Sequence, residues 1–217
     1  MIDRNSQIHS SVAKYYSQKL RDHGATAKGV DWKDQQGQYL RFAQLAKLIT
    51  DSGISQKPVS IADFGCGYGA FLGYMRRNFP EGTRYEFLGI DLSEDMIEAC
   101  RTQWSEDTDA RFLVGHEPDI ETDFAIASGI FNVSLETTED EWLAYILNTL
   151  QTMSRFARKG FAFNCLTSYS DEDKKAKHLY YADPCYFFDY CKRNFSRNVT
   201  LLHDYNLYEF TILVRKL

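Results

Sequence analysis

The sequence predicts an α/β protein: a doubly wound, mostly parallel seven-stranded sheet with helices on both faces and a C-terminal antiparallel hairpin. Three observations carry this. Short apolar runs alternate with segments of helical spacing along most of the chain, the pattern of strand–helix units whose strands lie parallel. The first such run, Val59–Phe64, enters a bend of alternating glycines and then a helix. The last two runs, Val199–His203 and Tyr208–Val214, are joined by a turn near Asp204–Asn206 too short for a crossover, so they pair antiparallel.

Taken in order, Tyr39, Phe42, Ala43, Ala46 and Ile49 stand at helical spacing within residues 38–50. Val59–Phe64 is the first strand, and Gly65, Gly67 and Gly69 follow it. A helix over 69–79 closes at Pro80-Glu81-Gly82. Tyr85–Asp91 is the second strand, after which Ser93 caps a helix with Glu94 and Asp95 in its first turn. Arg111–Val114 and Phe124–Ser128 are strands three and four. Trp142, Leu143, Ile146, Leu147, Leu150 and Met153 line an amphipathic helix over 139–157, opened by the capping box Thr138-x-x-Glu141. Phe161–Cys165 is strand five, and Asp183-Pro184 caps a last helix running to Phe195. Tyr208, Phe210, Ile212 and Val214 share one face of the final strand.

With 44% hydrophobic and 15% aromatic residues, the 217-residue chain can build one ordinary core, and no linker or repeat divides it. A single domain over 1–217 is expected, with residues 1–50 a helical cap segment. The excess of 30 acids over 25 bases, net charge −5, argues against a general nucleic-acid binder. No run is apolar enough to span a bilayer, and MIDRNSQIHS lacks a signal-peptide core, so a cytoplasmic location without membrane attachment is expected. Cysteines 66, 100, 165, 185 and 191 show no C-x-x-C pair, so most are expected to be buried thiols rather than parts of a metal or redox centre.

The glycine bend points to a cofactor whose atoms approach bare backbone. Gly65-x-Gly67-x-x-Ala70 fits the dinucleotide fingerprint. Three features favour S-adenosylmethionine (SAM) instead: the third glycine at 69, the acid Asp63 two residues before the bend, and the closing hairpin. A nicotinamide enzyme would also need a second nucleotide-binding half or a catalytic domain, and this short chain shows neither. On these residues, with Asp91 at the end of strand two, the chain resembles the class I SAM-dependent methyltransferase superfamily over roughly residues 39–217.

That resemblance implies a Rossmann-like fold and SAM as cofactor. It implies that the backbone from Phe64 through Gly65, Cys66 and Gly67 to Gly69 lies against the methionine and ribose portions, and that Asp63 meets the cationic amino-acid end. Asp91 would accept from ribose hydroxyls, with Leu92 and Met96 offering an apolar face to adenine. After strand three, where the family often has an acid, this chain reads Gly115-His116-Glu117, so His116 or Glu117 fills that position. Arg41 suits a carboxylate partner in the cofactor, and Ser128 stands at the end of strand four.

The superfamily's acceptor region corresponds here to Ser128–Asn132, Leu166–Tyr181 and residues 1–40. Residues 128–131 carry no Asn/Asp-Pro-Pro-aromatic device and no metal-binding acid, so no metal is expected. Glu136, Glu139 and Glu141 are better explained by helix capping than by a catalytic glutamate pair. The unpatterned stretch 167–183 is long enough to be a lid or a surface loop, and it holds His178 and Tyr181. His178, Tyr181 and His203 are the catalytic candidates the sequence offers. Three functions remain open: methyl transfer to oxygen or nitrogen of a small molecule, methylation of RNA or protein (Lys174, Lys175, Lys177, Arg193 and Arg197 being candidate basic residues), or SAM binding without catalysis.

Overall fold

The computed structural model describes residues 4–50 and 58–216. Its strands are β1 (Val59–Phe64), β2 (Tyr85–Asp91), β3 (Ala110–Val114), β4 (Thr122–Ala127), β5 (Ala157–Leu166), β6 (Asn198–Leu202) and β7 (Glu209–Arg215). They form one sheet in the order β3-β2-β1-β4-β5-β7-β6. β1 pairs in parallel with both β2 and β4, and β7 is inserted antiparallel between β5 and β6. From β1 the chain winds one way to β2 and β3, then returns to β4 on the other side. The strand order therefore reverses between β1 and β4, where a doubly wound sheet opens a crevice at its carboxyl edge.

Helices α1 (Arg4–His23), α2 (Gln35–Thr50), α3 (Ala70–Asn78), α4 (Glu94–Gln103), α5 (Glu139–Phe156) and α6 (Pro184–Asn194) cover both faces. One face carries the core under α5 and α6, built on Trp142, Ile146, Leu150, Phe161, Phe163 and Phe187. The other carries a second core under α2, α3 and α4, built on Phe42, Leu45, Leu48, Phe71, Leu72 and Met75. Every residue of β4 is buried, which is why it reads as a continuous run rather than an alternating one. In β7, Phe210, Ile212 and Val214 enter the first core while Leu213 enters the second, so both sides of its alternation are interior. Tyr208 falls outside the strand and is exposed.

β5 begins at Ala157, immediately after α5, four residues earlier than the apolar run suggests. Ala157 pairs with Thr122 of β4. The polar residues between, Arg158 and Lys159, both reach the carboxylate of Asp123, at 3.0 and 3.3 Å. Charge pairing across the strands makes this a strand where apolarity gives no signal.

The expected caps form. The Ser93 hydroxyl accepts from the Met96 amide at 3.2 Å, Asp183 accepts from the amides of Cys185 and Tyr186 at the start of α6, and Thr138 and Glu141 make a reciprocal box on α5. Two of these caps also hold α1 in place. The Arg4 guanidinium reaches Glu141 at 2.8 Å, and with the Thr138 hydroxyl it holds that carboxyl down at about 2, so the pair stays ionised at neutral pH. The Ser17 and Ser93 hydroxyls lie 2.8 Å apart, and Arg21 reaches Asp95 at 2.8 Å. α1 is thus latched near both ends, to α5 and to α4.

Ser93→Ala removes the α4 cap and leaves the Ser17 hydroxyl without this partner. The unfolding free energy is expected to fall by about 1–2 kcal/mol with an unchanged urea m-value, measured by equilibrium denaturation.

Candidate functional site

The crevice is shaped by the bend after β1. Gly65 and Gly67 take positive φ values of 68° and 54°, a region costly for any residue with a Cβ. At Gly65 a Cβ would also lie 2.2 Å from the Ile130 side chain. The amides of Gly65 and Cys66 both donate to the Ile90 carbonyl, at 2.7 and 3.0 Å, drawing the bend over the end of β2. One oxygen of Asp91 accepts from the Gly67 amide and the other from the Ser93 amide, each at 2.9 Å. A single carboxylate therefore ties the bend to the start of α4.

The resulting cavity has a volume of about 320 Å³. Its floor is the bend with Asp91, Leu92 and Met96; one wall is Gly115–Glu117 and another is Ser128–Ile130. The roof is α1, which turns Asn5, His9, Val12 and Tyr16 inward from one helical face, joined by Val30 and Trp32. α5 closes the far side with Tyr145, Asn148, Thr149 and Thr152. An annex of about 30 Å³ shares Val30, Trp32, Gly65, Gly67 and Ser128 with the cavity and adds Asp63, Gln38 and Cys66.

The electrostatics are one-sided. Asp63 is 2% exposed; burial, with Asp91 nearby, pushes its carboxyl well above the ordinary range. No hydrogen-bond donor among the described residues reaches it. Burial also raises Asp91, opposed by the amide donors of Ser93, Gly67 and Leu92. Among the described residues no Lys or Arg lines the cavity or its annex. The Ser128 hydroxyl oxygen is buried with no partner among the described residues. A buried carboxyl lacking donors beside an unsatisfied hydroxyl suits a ligand that brings both positive charge and hydrogen-bonding groups. Burial pushes the Tyr16 phenol well above its usual value and Tyr145 to about 12, so both are protonated at neutral pH.

Most residues expected at the site converge here. Phe64, Gly65, Gly67, Asp91, Leu92, Met96, His116 and Ser128 line the cavity, and Asp63 and Cys66 line the annex. The His116 ring lies 4.8 Å from that of His9, while the Glu117 carboxylate pairs with Arg155. Two residues depart from expectation. Gly69 lies outside the lining: its φ is 81° and a Cβ there would lie 2.5 Å from the Trp104 indole nitrogen at the end of α4, so this glycine serves the bend and the packing of Trp104. Arg41 is absent from the lining because its guanidinium is already engaged by Glu209 at 2.6 Å and lies 4.0 Å over the Trp32 ring.

The three catalytic candidates lie elsewhere. His178 is exposed, and its backbone carbonyl accepts from Ser134 and Leu135. The Tyr181 hydroxyl accepts from the Ala176 amide. His203 is exposed against Tyr169. Residues 167–183 contribute nothing to the cavity lining: they form a loop with a short 3-10 turn at Glu172–Lys174, its two ends bridged to each other at Thr167–Ala182 and its Leu179 bridged to Val133. Sequence reasoning placed residues 1–40 over the site without naming the α1 side chains that enter it, and missed α5 as a lining element. The spacing of Asn5, His9, Val12 and Tyr16, and the polar group Asn148, Thr149 and Thr152 on an otherwise amphipathic helix, were the available signals.

A family model described as a methyltransferase domain matches residues 61–160. A protein of Mycobacterium tuberculosis strain H37Rv named as a methyltransferase, Rv1506c, is 50% identical over 159 residues, covering 73% of this chain and 94% of that protein. Among solved structures, magnesium protoporphyrin IX methyltransferase from Synechocystis PCC 6803 with bound SAM aligns with a TM-score of 0.65 at 13% identity, covering 100% of this chain and 99% of that one. The N-methyltransferase NodS from Bradyrhizobium japonicum WM9 aligns with a TM-score of 0.62 at 12% identity, covering 94% and 98%. At such identities these structures speak for the fold. With the half-identical relative and the cavity at the β1–β4 switch point, the chain belongs to the class I SAM-dependent methyltransferase superfamily.

Proposed function

We propose that this enzyme moves the methyl group of SAM to an oxygen or nitrogen atom of a small-molecule acceptor. The observation that carries the reading is the roofed cavity: a crevice at the switch point, closed by a helix latched at both ends, admits a small molecule more readily than a chain or duplex. Three of the five basic residues that would favour RNA support the same choice. Lys174 pairs with Asp173, Lys175 with Glu172 and Arg193 with Asp189, so these cations are matched by neighbouring acids. Solved proteins of the same fold include enzymes named for porphyrin and phosphoethanolamine substrates, which suits a small acceptor.

In this reading Asp63, through the annex, holds the cationic amino-acid end of SAM, and the Ser128 hydroxyl gains its missing partner there. Asp91 retains lone pairs beyond its bonds to backbone amides and accepts from the ribose hydroxyls. Leu92 and Met96 cover one side of the adenine, with His116 at its edge. When bound, SAM would supply an electrophilic methyl on a sulfonium, the acceptor–methyl bond forming in line as the sulfur–methyl bond breaks and the thioether S-adenosylhomocysteine departs. The protein aligns the reactants and excludes water, and the protonated Tyr16 faces the cavity as a hydrogen-bond donor. No side chain is assigned as a general base.

Incubation with radiolabelled SAM and pooled small metabolites is expected to release S-adenosylhomocysteine and label a low-molecular-weight product. Label confined to RNA or protein would reverse the acceptor assignment, and absence of both products would leave a binding protein.

Asp63→Asn separates ligand binding from stability. Because the folded carboxyl titrates above its unfolded value, the folded protein holds more protons between the two, and stability falls as pH rises through that window. The asparagine variant should lose this part of the pH dependence and be at least as stable as the parent at pH 7. Its affinity for SAM should drop about tenfold or more, since a charge-assisted bond is lost. Unchanged affinity by calorimetry would remove Asp63 from the cofactor site.

A further inference from the structure

A buried polar chain runs behind the cavity wall. Glu209, at the start of β7, is 1% exposed, and Asn164 of β5 is fully buried. Arg41 reaches Glu209 with two nitrogens: Nε donates to Oε1 at 2.8 Å, and the terminal nitrogen lies 2.6 Å from the same oxygen. The other oxygen, Oε2, accepts from the Asn164 side-chain amide. Asn164 Oδ1 in turn accepts from the Gly129 backbone amide at 2.8 Å. The direction is fixed by chemistry: a carboxylate can only accept and a backbone N–H can only donate, so the Asn164 side chain has one satisfactory orientation.

Gly129 is the centre of the Ser128–Ile130 wall. Its φ is 75°, and a Cβ there would lie 2.3 Å from the Trp32 ring, so Trp32 rests against bare backbone. The same Trp32 ring sits 4.0 Å from the Arg41 guanidinium. Glu209 therefore acts in two directions. Through Asn164 it holds the wall, and through Arg41 it holds the aromatic cover over that wall. Ile130, the next residue, meets Gly65 in the bend after β1. A fold needs no buried ion pair at this place, since apolar residues of the same volume are often as stable or more so. Maintaining one is explained if it sets the geometry of the cavity.

We propose that Glu209 is a positioning residue that, through Asn164 and Arg41, sets the Gly129 wall and the Trp32 cover of the cofactor cavity. The proposal rests on the SAM-binding reading of that cavity.

The test uses the whole chain with two readouts, S-adenosylhomocysteine affinity by calorimetry and amide hydrogen exchange at Gly129 in the ligand-free protein. Asn164→Ala cuts the chain at its middle. The double variant Arg41→Leu/Glu209→Leu removes both charges together, so no unpaired buried charge prevents folding. Both are expected to speed Gly129 exchange at least tenfold and to weaken S-adenosylhomocysteine binding about tenfold, measured well below the melting temperature. Arg41→Leu/Glu209→Gln returns an acceptor oxygen for the Asn164 amide and should recover Gly129 protection. A lowered melting temperature with unchanged Gly129 exchange and unchanged affinity would make the chain of contacts purely structural and overturn the proposal. If the parent protein itself fails to bind S-adenosylhomocysteine, the cofactor reading fails instead, while the exchange experiment on Gly129 still decides whether Glu209 positions the wall.

Discussion

The structure depends on one backbone constraint, a left-handed bend with no side chain where β1 leaves the sheet. Gly65 and Gly67 can adopt it, and the Ile90 carbonyl and the Asp91 carboxylate hold it over the end of β2. Because Asp91 also accepts from the Ser93 amide, the same carboxylate sets the start of α4. The missing Cβ lets the cavity wall close on the bend. Ile130, only 2.2 Å from where such an atom would stand, fills the volume that any other residue would need.

Around that bend the molecule gathers two carboxyl groups whose charged form burial disfavours. Asp63 lies fully inside the sheet end, Asp91 faces the cavity, and the cations of the neighbourhood are committed elsewhere: Arg41 to Glu209, Lys19 to Asp31, Arg21 to Asp95. Burying a carboxyl without a donor is costly, and such a cost persists where a ligand offsets it. The family to which the chain belongs uses a sulfonium cofactor, whose positive charge matches this arrangement. α1 completes the enclosure, and its attachments at Glu141, Ser93 and Asp95 are side chains that also cap, or stand in the first turn of, the helices beneath. Capping and roofing are therefore one set of contacts.

The chain's own periodicity made the strands, the glycine bend and the three capped helices legible, because each depends on residues within a few positions of one another. Ser93, Thr138 with Glu141, and Asp183-Pro184 cap as local chemistry dictates. The apolar runs mark β1, β2 and β4, since strands buried on both faces over most of their length carry few polar residues to interrupt them. The start of β5 was not legible: Arg158 and Lys159 read as a polar loop, and only Asp123 on the neighbouring strand makes them strand residues.

The sequence by itself determined the doubly wound sheet, the bend and the acids Asp63 and Asp91 beside it, because φ preference, period and strand ends are local properties. Tertiary structure alone decided who meets whom across the chain. Arg41 finds its carboxylate in Glu209, 168 residues away, rather than in a ligand. Trp104 packs against Gly69, and the roof takes Asn5, His9, Val12 and Tyr16 from α1 while the loop at 167–183, richer in candidate side chains, lies apart from the cavity. A charge or an aromatic ring is selected by whatever neighbour the finished packing brings within a few ångströms, and no pattern along the chain carries that information.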